Sequence, residues 1–131
     1  MLFNYYSKVM KSIIAINNLG YIGLDNKLLW KSSQDMSHFI RMTINQRLLV
    51  GYNTAQDLPK LKNRTIIIDN RDELITDVDW CIGGKKTYEK YASHFTELHI
   101  SHIDNNDIGD IMFPDFRNLN PNCKIFNYYF K

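Results

Sequence analysis

Cysteine is scarce: only Cys81 and Cys123 occur among the 131 residues. Neither belongs to a CxxC pair or lies near a histidine cluster, so a structural zinc site and a disulfide framework both lack support, and a reduced, cytoplasmic setting is expected. Long apolar runs are also missing. The opening MLFNYYSKVMK is apolar only in patches, too short and interrupted to span a bilayer, and it lacks the apolar core of a signal peptide. No block of one charge sign stands out, because sixteen Lys and Arg are mixed with fourteen Asp and Glu for a net charge of +2. That balance gives no nucleic-acid footprint. His38, His94, His99 and His102 have no metal-ligand spacing, so structural or surface roles are expected for them and no metal. Repeats, linkers and low-complexity segments are not seen.

What remains is an ordinary globular composition, 44% hydrophobic and 23% charged, over a length that fits one domain with a real core. Residues 1–10 read as an N-terminal extension and 11–131 as the domain. Ile13 to Ile16 form a continuous apolar run, the pattern of a central strand covered on both faces. An Asn- and Gly-rich loop follows. RLLVG, TIIID and VDWCIGG are further short apolar runs, and ELHISHID alternates Leu98, Ile100 and His102 against His99, Ser101 and Ile103. IMFPDF and KIFNYYFK are strand-like by content. Between them, YNTAQD reads as a short helix capped by Asn53 or Thr54 and stopped before Pro59. KKTYEKYASHF reads as a helix with Tyr88, Tyr91, Ala92 and Phe95 at helical spacing. Strands alternating with helices imply an α/β domain with a mostly parallel central sheet and flanking helices.

One carboxylate is oddly placed. If KSSQDMSHFIRMT is a helix capped by Ser32 or Ser33, a 100° step gathers Asp35, Met36, Phe39, Ile40 and Thr43 on one arc, with Ser37, His38 and Arg41 on the solvated side. An acid then borders the apolar face. Gly51 and the Gly83–Gly84 pair each stand after a buried strand and before a helix, where ligands of such sheets bind and where free amides attract phosphate. A purely structural turn explains a lone glycine pair equally well.

Taken in order, these motifs resemble the dihydrofolate reductases over about Ser12 to Phe116. IIAINNLGYIG is similar to that family's first strand and mobile loop, Trp30 and Asp35 to its pocket tryptophan and acid, and CIGGKKTYEKY to its second signature. The resemblance implies an NADPH-dependent reduction of 7,8-dihydrofolate, with hydride passing to C6 of the pterin and a proton to N5. It implies Asp35, Trp30 and Ser101 as the catalytic group. Substrate contacts would come from Ile13, Ile14, Met36, Phe39, Leu61, Arg64, Ile82 and Tyr88. Asp35 would hold the pterin N3 and 2-amino group, Arg64 the glutamate carboxylate. Cofactor contacts would come from Ala15, Ile22, Gly23, Gly51, Tyr52, Asn53, Thr54, Arg71, Gly83, Gly84, Lys85, Lys86 and Thr87, and Leu24 to Leu29 would form a lid.

The chain departs from the family's pattern in four places. Leu29 replaces the usual proline before Trp30. Tyr52 stands where a basic residue often meets the 2′-phosphate of NADPH, leaving Lys86 and Arg71 to compensate. Only NRDELITDVDW separates TIIID from CIGG, so the adenosine-side strand and helix are largely lost, and the terminal hairpin is shortened. Weaker or less selective cofactor binding, with NADH as a possible donor, is the consequence. The trimmed edge would be covered by residues 1–10 or by a second subunit, leaving monomer and homodimer both open. A folate- or nucleotide-binding protein without turnover is the alternative on the same scaffold, and a reductase of the riboflavin-pathway type is a third.

Overall fold

The structure, a computed structural model, describes residues 9–23, 30–70, 72–114 and 116–131. Its elements are β1 (Met10–Asn17), β2 (Tyr21–Gly23), α1 (Ser33–Thr43), β3 (Arg47–Val50), α2 (Tyr52–Asp57), β4 (Thr65–Ile68), β5 (Trp80–Cys81), α3 (Lys85–Tyr91), a 3-10 turn (Ala92–His94), β6 (Phe95–Ile103), β7 (Ile111–Met112), α4 (Phe116–Leu119) and β8 (Lys124–Phe130). Six strands form one sheet in the order β4-β3-β5-β1-β6-β8. Every pair in it is parallel. β2 and β7 make a separate antiparallel pair.

Burial follows from strand position. β1 lies inside the sheet, and Ile13 and Ile14, which point to opposite faces, are both buried. Leu48, Leu49 and Val50 of β3 are fully buried. β4 is equally apolar, yet Ile66 and Ile68 are exposed because this strand is an edge. The parallel register puts Ile13 beside His99, and Ala15 beside Ser101, on one face. That face packs Ile13, Leu48 and Trp80 against Phe39 and Met42 of α1. The other face packs Ile14, Leu49, Cys81, Leu98 and Ile100 against Tyr88, Tyr91 and Phe116.

Several local expectations are corrected. α2 is capped by Gly51 with no side-chain hydrogen bond, so neither Asn53 nor Thr54 is the cap. α3 ends at Tyr91, and Phe95 opens β6, because the 3-10 turn intervenes. Met10 is buried as the first residue of β1. The expected lid at residues 24–29, Arg71 and most of the N-terminal extension fall outside the described residues.

Candidate active site

α1 begins where the Ser32 side chain accepts a hydrogen bond from the Asp35 N–H at 3.2 Å. This cap satisfies one of the free amides of the first turn and fixes Asp35 at the helix start. The helix is then set across the sheet so that its acid meets Ser101 of β6. Ser101 is 1% exposed and lies beside the Asp35 carboxylate, where its hydroxyl favours the ionised form. Burial pushes the Asp35 carboxyl above its ordinary value, while the Ser101 hydroxyl and the nearby His38 pull in the opposite direction. Trp30, 8% exposed, stands just before the helix, and its Nε1 has no hydrogen-bond partner among the described residues. A buried indole N–H is costly to leave unpaired, so it marks a place for a polar ligand group.

The helix face differs from the expected arc. His38 and Thr43 are buried, with Asp35, Phe39 and Met42 half-buried, whereas Met36 and Ile40 are exposed. Spacing alone placed His38 with the solvent-facing Ser37 and Arg41. Its burial depends on Tyr128 and Phe130 of β8, whose rings lie 4.2 and 5.4 Å away. The aromatic cluster NYYF was the available signal, although nothing in helix periodicity links it to residue 38.

Phe39, Leu61 and Ile82 gather around Ile13, Leu48 and Trp80 in one cluster. Ile14 and Ile22 belong instead to the core on the other side of the sheet. Tyr88 lies there too, and its hydroxyl crosses to donate to the Ile13 carbonyl at 2.6 Å. Burial holds that phenol well above its usual value, so it stays a neutral donor.

Arg64 is anchored rather than loose. Its Nε donates to the Thr43 hydroxyl at 2.9 Å, one terminal nitrogen to the Lys62 carbonyl at 2.6 Å, and the other to the Ile40 carbonyl. Thr43 in turn donates its proton to the Phe39 carbonyl at 2.8 Å, which leaves its oxygen to accept from Arg64. Three of the five guanidinium N–H groups are thus used within the described residues, and one remains on each terminal nitrogen, the number a bidentate carboxylate takes.

At the carboxyl ends of β3 and β5 two helix starts lie side by side. The Gly51 N–H donates to the Gly83 carbonyl at 2.7 Å. A Cβ at Gly51 would stand 2.6 Å from Thr87 Oγ1, and one at Gly84 would stand 2.8 Å from Thr54 Oγ1. The two turns therefore interlock only without side chains at these glycines. Gly83 has a φ of +116° and joins Gly84 through a cis peptide. Thr87 is buried, Thr54 and Lys85 half-buried, and Lys86, Asn53 and Tyr52 exposed. Ala15 is half-buried on β1 and Gly23 is buried at the end of β2. Backbone amides, hydroxyls and two lysines are a donor set that fits a dinucleotide's phosphates.

Parallel α/β domains with glycine-rich turns at the strand ends and a half-buried acid nearby are an architecture that nucleotide-dependent enzymes use. The family model described as dihydrofolate reductase matches residues 9–80. A dihydrofolate reductase of Buchnera aphidicola subsp. Schizaphis graminum is 28% identical over 91% of this chain and 84% of its own. The type 1 dihydrofolate reductase of Escherichia coli is 30% identical, covering 79% of this chain and 80% of its own. The structure of dihydrofolate reductase from Enterococcus faecalis complexed with NADP(H) and RAB-propyl superposes with a TM-score of 0.68 at 25% identity, over 82% of this chain and 77% of that one. The chain belongs to the dihydrofolate reductase family.

Proposed function

We propose that the protein reduces 7,8-dihydrofolate to tetrahydrofolate at the expense of NADPH, with Asp35 as the acid of the site. The observation that carries the assignment of the acid is the half-buried carboxylate of Asp35, fixed at the start of α1 by the Ser32 cap and placed beside Ser101. NADPH supplies the hydride taken up at C6 of the pterin. The chain's own residues bind, orient and hold protons. Asp35 accepts hydrogen bonds from the pterin N3 and 2-amino group and so orients the ring that gains its proton at N5. Trp30 offers its Nε1 proton to the same pocket, and Ser101 holds the carboxylate in orientation. Ile13 and Ile82 line the pterin edge, with Ile14 behind them and Met36 at the mouth. Phe39 and Leu61 flank the aminobenzoyl ring, and Arg64 grips the glutamate carboxylate.

Gly51, Tyr52, Asn53, Thr54, Gly83, Gly84, Lys85, Lys86 and Thr87 would hold the cofactor's phosphates. Ala15, Ile22, Gly23 and Tyr88 would border its nicotinamide. Arg71, outside the described residues, is assigned to the 2′-phosphate. The domain is taken as single, preceded by a short extension, and monomeric or homodimeric. The described residues hold no helix long and apolar enough to cross a membrane. Cys81 and Cys123 are free thiols, which suits the cytoplasm as the compartment.

The experiment is NADPH oxidation with dihydrofolate by the native protein and by Asp35→Asn. The native protein turns over, and the variant loses about 100-fold or more in kcat/KM, the scale of a positioned acid. A native protein that binds folate without oxidising NADPH would instead be a binding module.

A further inference from the structure

Behind Asp35, on the β8 side, α1 buries a second titratable group that the reaction as described does not use. His38 follows Asp35 by three positions, which on a helix brings the two Cβ atoms to about 5–6 Å. It is 6% exposed, and its Nε2 has no hydrogen-bond partner among the described residues. Its ring packs on Tyr128 at 4.2 Å and on Phe130 at 5.4 Å. An unpaired ring nitrogen in an aromatic interface costs stability that phenylalanine in the same place would not. Packing alone therefore does not account for a histidine here.

We propose that His38 is a positioning residue for Asp35, its imidazole setting the local charge and hence the pH at which the acid changes protonation state. The inference rests on the reading of Asp35 as the acid of the site. The groups facing His38 are Asp35 and Arg41 on α1, His99 on β6 and Tyr128 on β8. His99 is itself held between Glu97 and Tyr128, each at 2.8 Å. Burial lowers the affinity of His38 for a proton, Arg41 and His99 lower it further, and Asp35 opposes them. Burial raises that of Asp35, and His38 opposes it. The charge state of each group therefore acts on the other. A proton on His38 favours the ionised carboxylate, so loss of the imidazole moves the titration of Asp35 to higher pH.

The test is the pH dependence of kcat and of kcat/KM for dihydrofolate, at saturating NADPH, in the native protein, His38→Phe and His38→Gln, with Asp35→Asn in parallel. Both His38 variants are expected to move the midpoint upward by about half a unit or more, roughly a threefold change in the ratio of protonated to ionised acid. The KM for NADPH stays within about twofold, since the cradle is remote. A second measurement needs no turnover: the ring resonances of His38, followed by NMR, titrate at lower pH in Asp35→Asn than in the native protein, because the favourable carboxylate charge is gone. Unmoved midpoints, a shift with Phe but not with Gln, or identical His38 titration in both proteins would each overturn the proposal. Full activity in Asp35→Asn would overturn the reading beneath it instead.

Discussion

Thr43 links α1 to Arg64, the residue proposed to hold the substrate's carboxylate. It is fully buried, donates to Phe39 within α1 and accepts from Arg64. Thr43→Val keeps the shape and removes both bonds, so the guanidinium loses one of its three anchors. The KM for dihydrofolate is expected to rise about tenfold, with kcat within about twofold and Thr43→Ser restoring most of the loss; steady-state kinetics measure the split. Asp35 carries a cost of the opposite kind. A carboxyl whose folded-state affinity for protons is raised binds more protons folded than unfolded between its ordinary value, about 3.9, and its folded value, and stability falls as pH rises through that window. Asp35→Asn has no charge to bury. It should melt at a higher temperature than the native protein at pH 7, the difference shrinking below about pH 4, as thermal denaturation at the two pH values reports.

At the scale of elements, the interlocked turns after β3 and β5 make the cradle a joint property of two helices. Gly51→Ala would drive a methyl into Thr87 Oγ1, 2.6 Å away, and should destabilise the fold by about 1–3 kcal/mol while raising the KM for NADPH. Adding Thr87→Ala removes the obstructing oxygen, so the double variant should be more stable than the sum of the two changes predicts; urea denaturation of the four proteins measures that coupling. The strands of this architecture were legible in the chain, because IIAI, RLLV and TIII are apolar runs bounded by turn residues. Asp35 and the glycines stand out in the sequence because each breaks a local pattern. Partners supplied by distant strands do not. Periodicity put His38 in solvent because β8, 90 positions away at Tyr128, supplies its cover, and it put Met36 and Ile40 inside although nothing among the described residues covers them fully. Helix caps failed likewise: Gly51 caps α2 by backbone geometry, which side-chain preference does not reveal.

For the molecule as a whole, the two faces of the sheet differ, with Asp35 and Arg64 on the α1 side and the larger core cluster on the α3 side. The span between β4 and β5 is tied down at one end by Arg47, whose Nε donates to the Asp77 carbonyl at 2.7 Å, and at the other by a clip around Asp69. Asp69 receives Lys90 Nζ at 3.1 Å and the Tyr91 hydroxyl at 2.7 Å, and Lys90 also donates to the Asn70 and Glu73 carbonyls at 2.7 and 3.0 Å. Lys90→Met should loosen this span and raise the KM for NADPH several-fold, leaving that for dihydrofolate within about twofold, since the proposed pterin site lies under α1. NADH kinetics of the same variant test whether the span also discriminates between cofactors.

The sheet order has a consequence in time. β1 is made early, but its two neighbours come late: Ser12 pairs with Cys81, and Ile13 with His99. At about 5–20 residues per second, the growing chain carries Ile13, Ile14 and Ile16 without their strand partners for several seconds or longer. Such long-range pairing also slows refolding. The chain is therefore exposed to self-association while it is being synthesised, and a chaperone that covers the first strand should raise its yield.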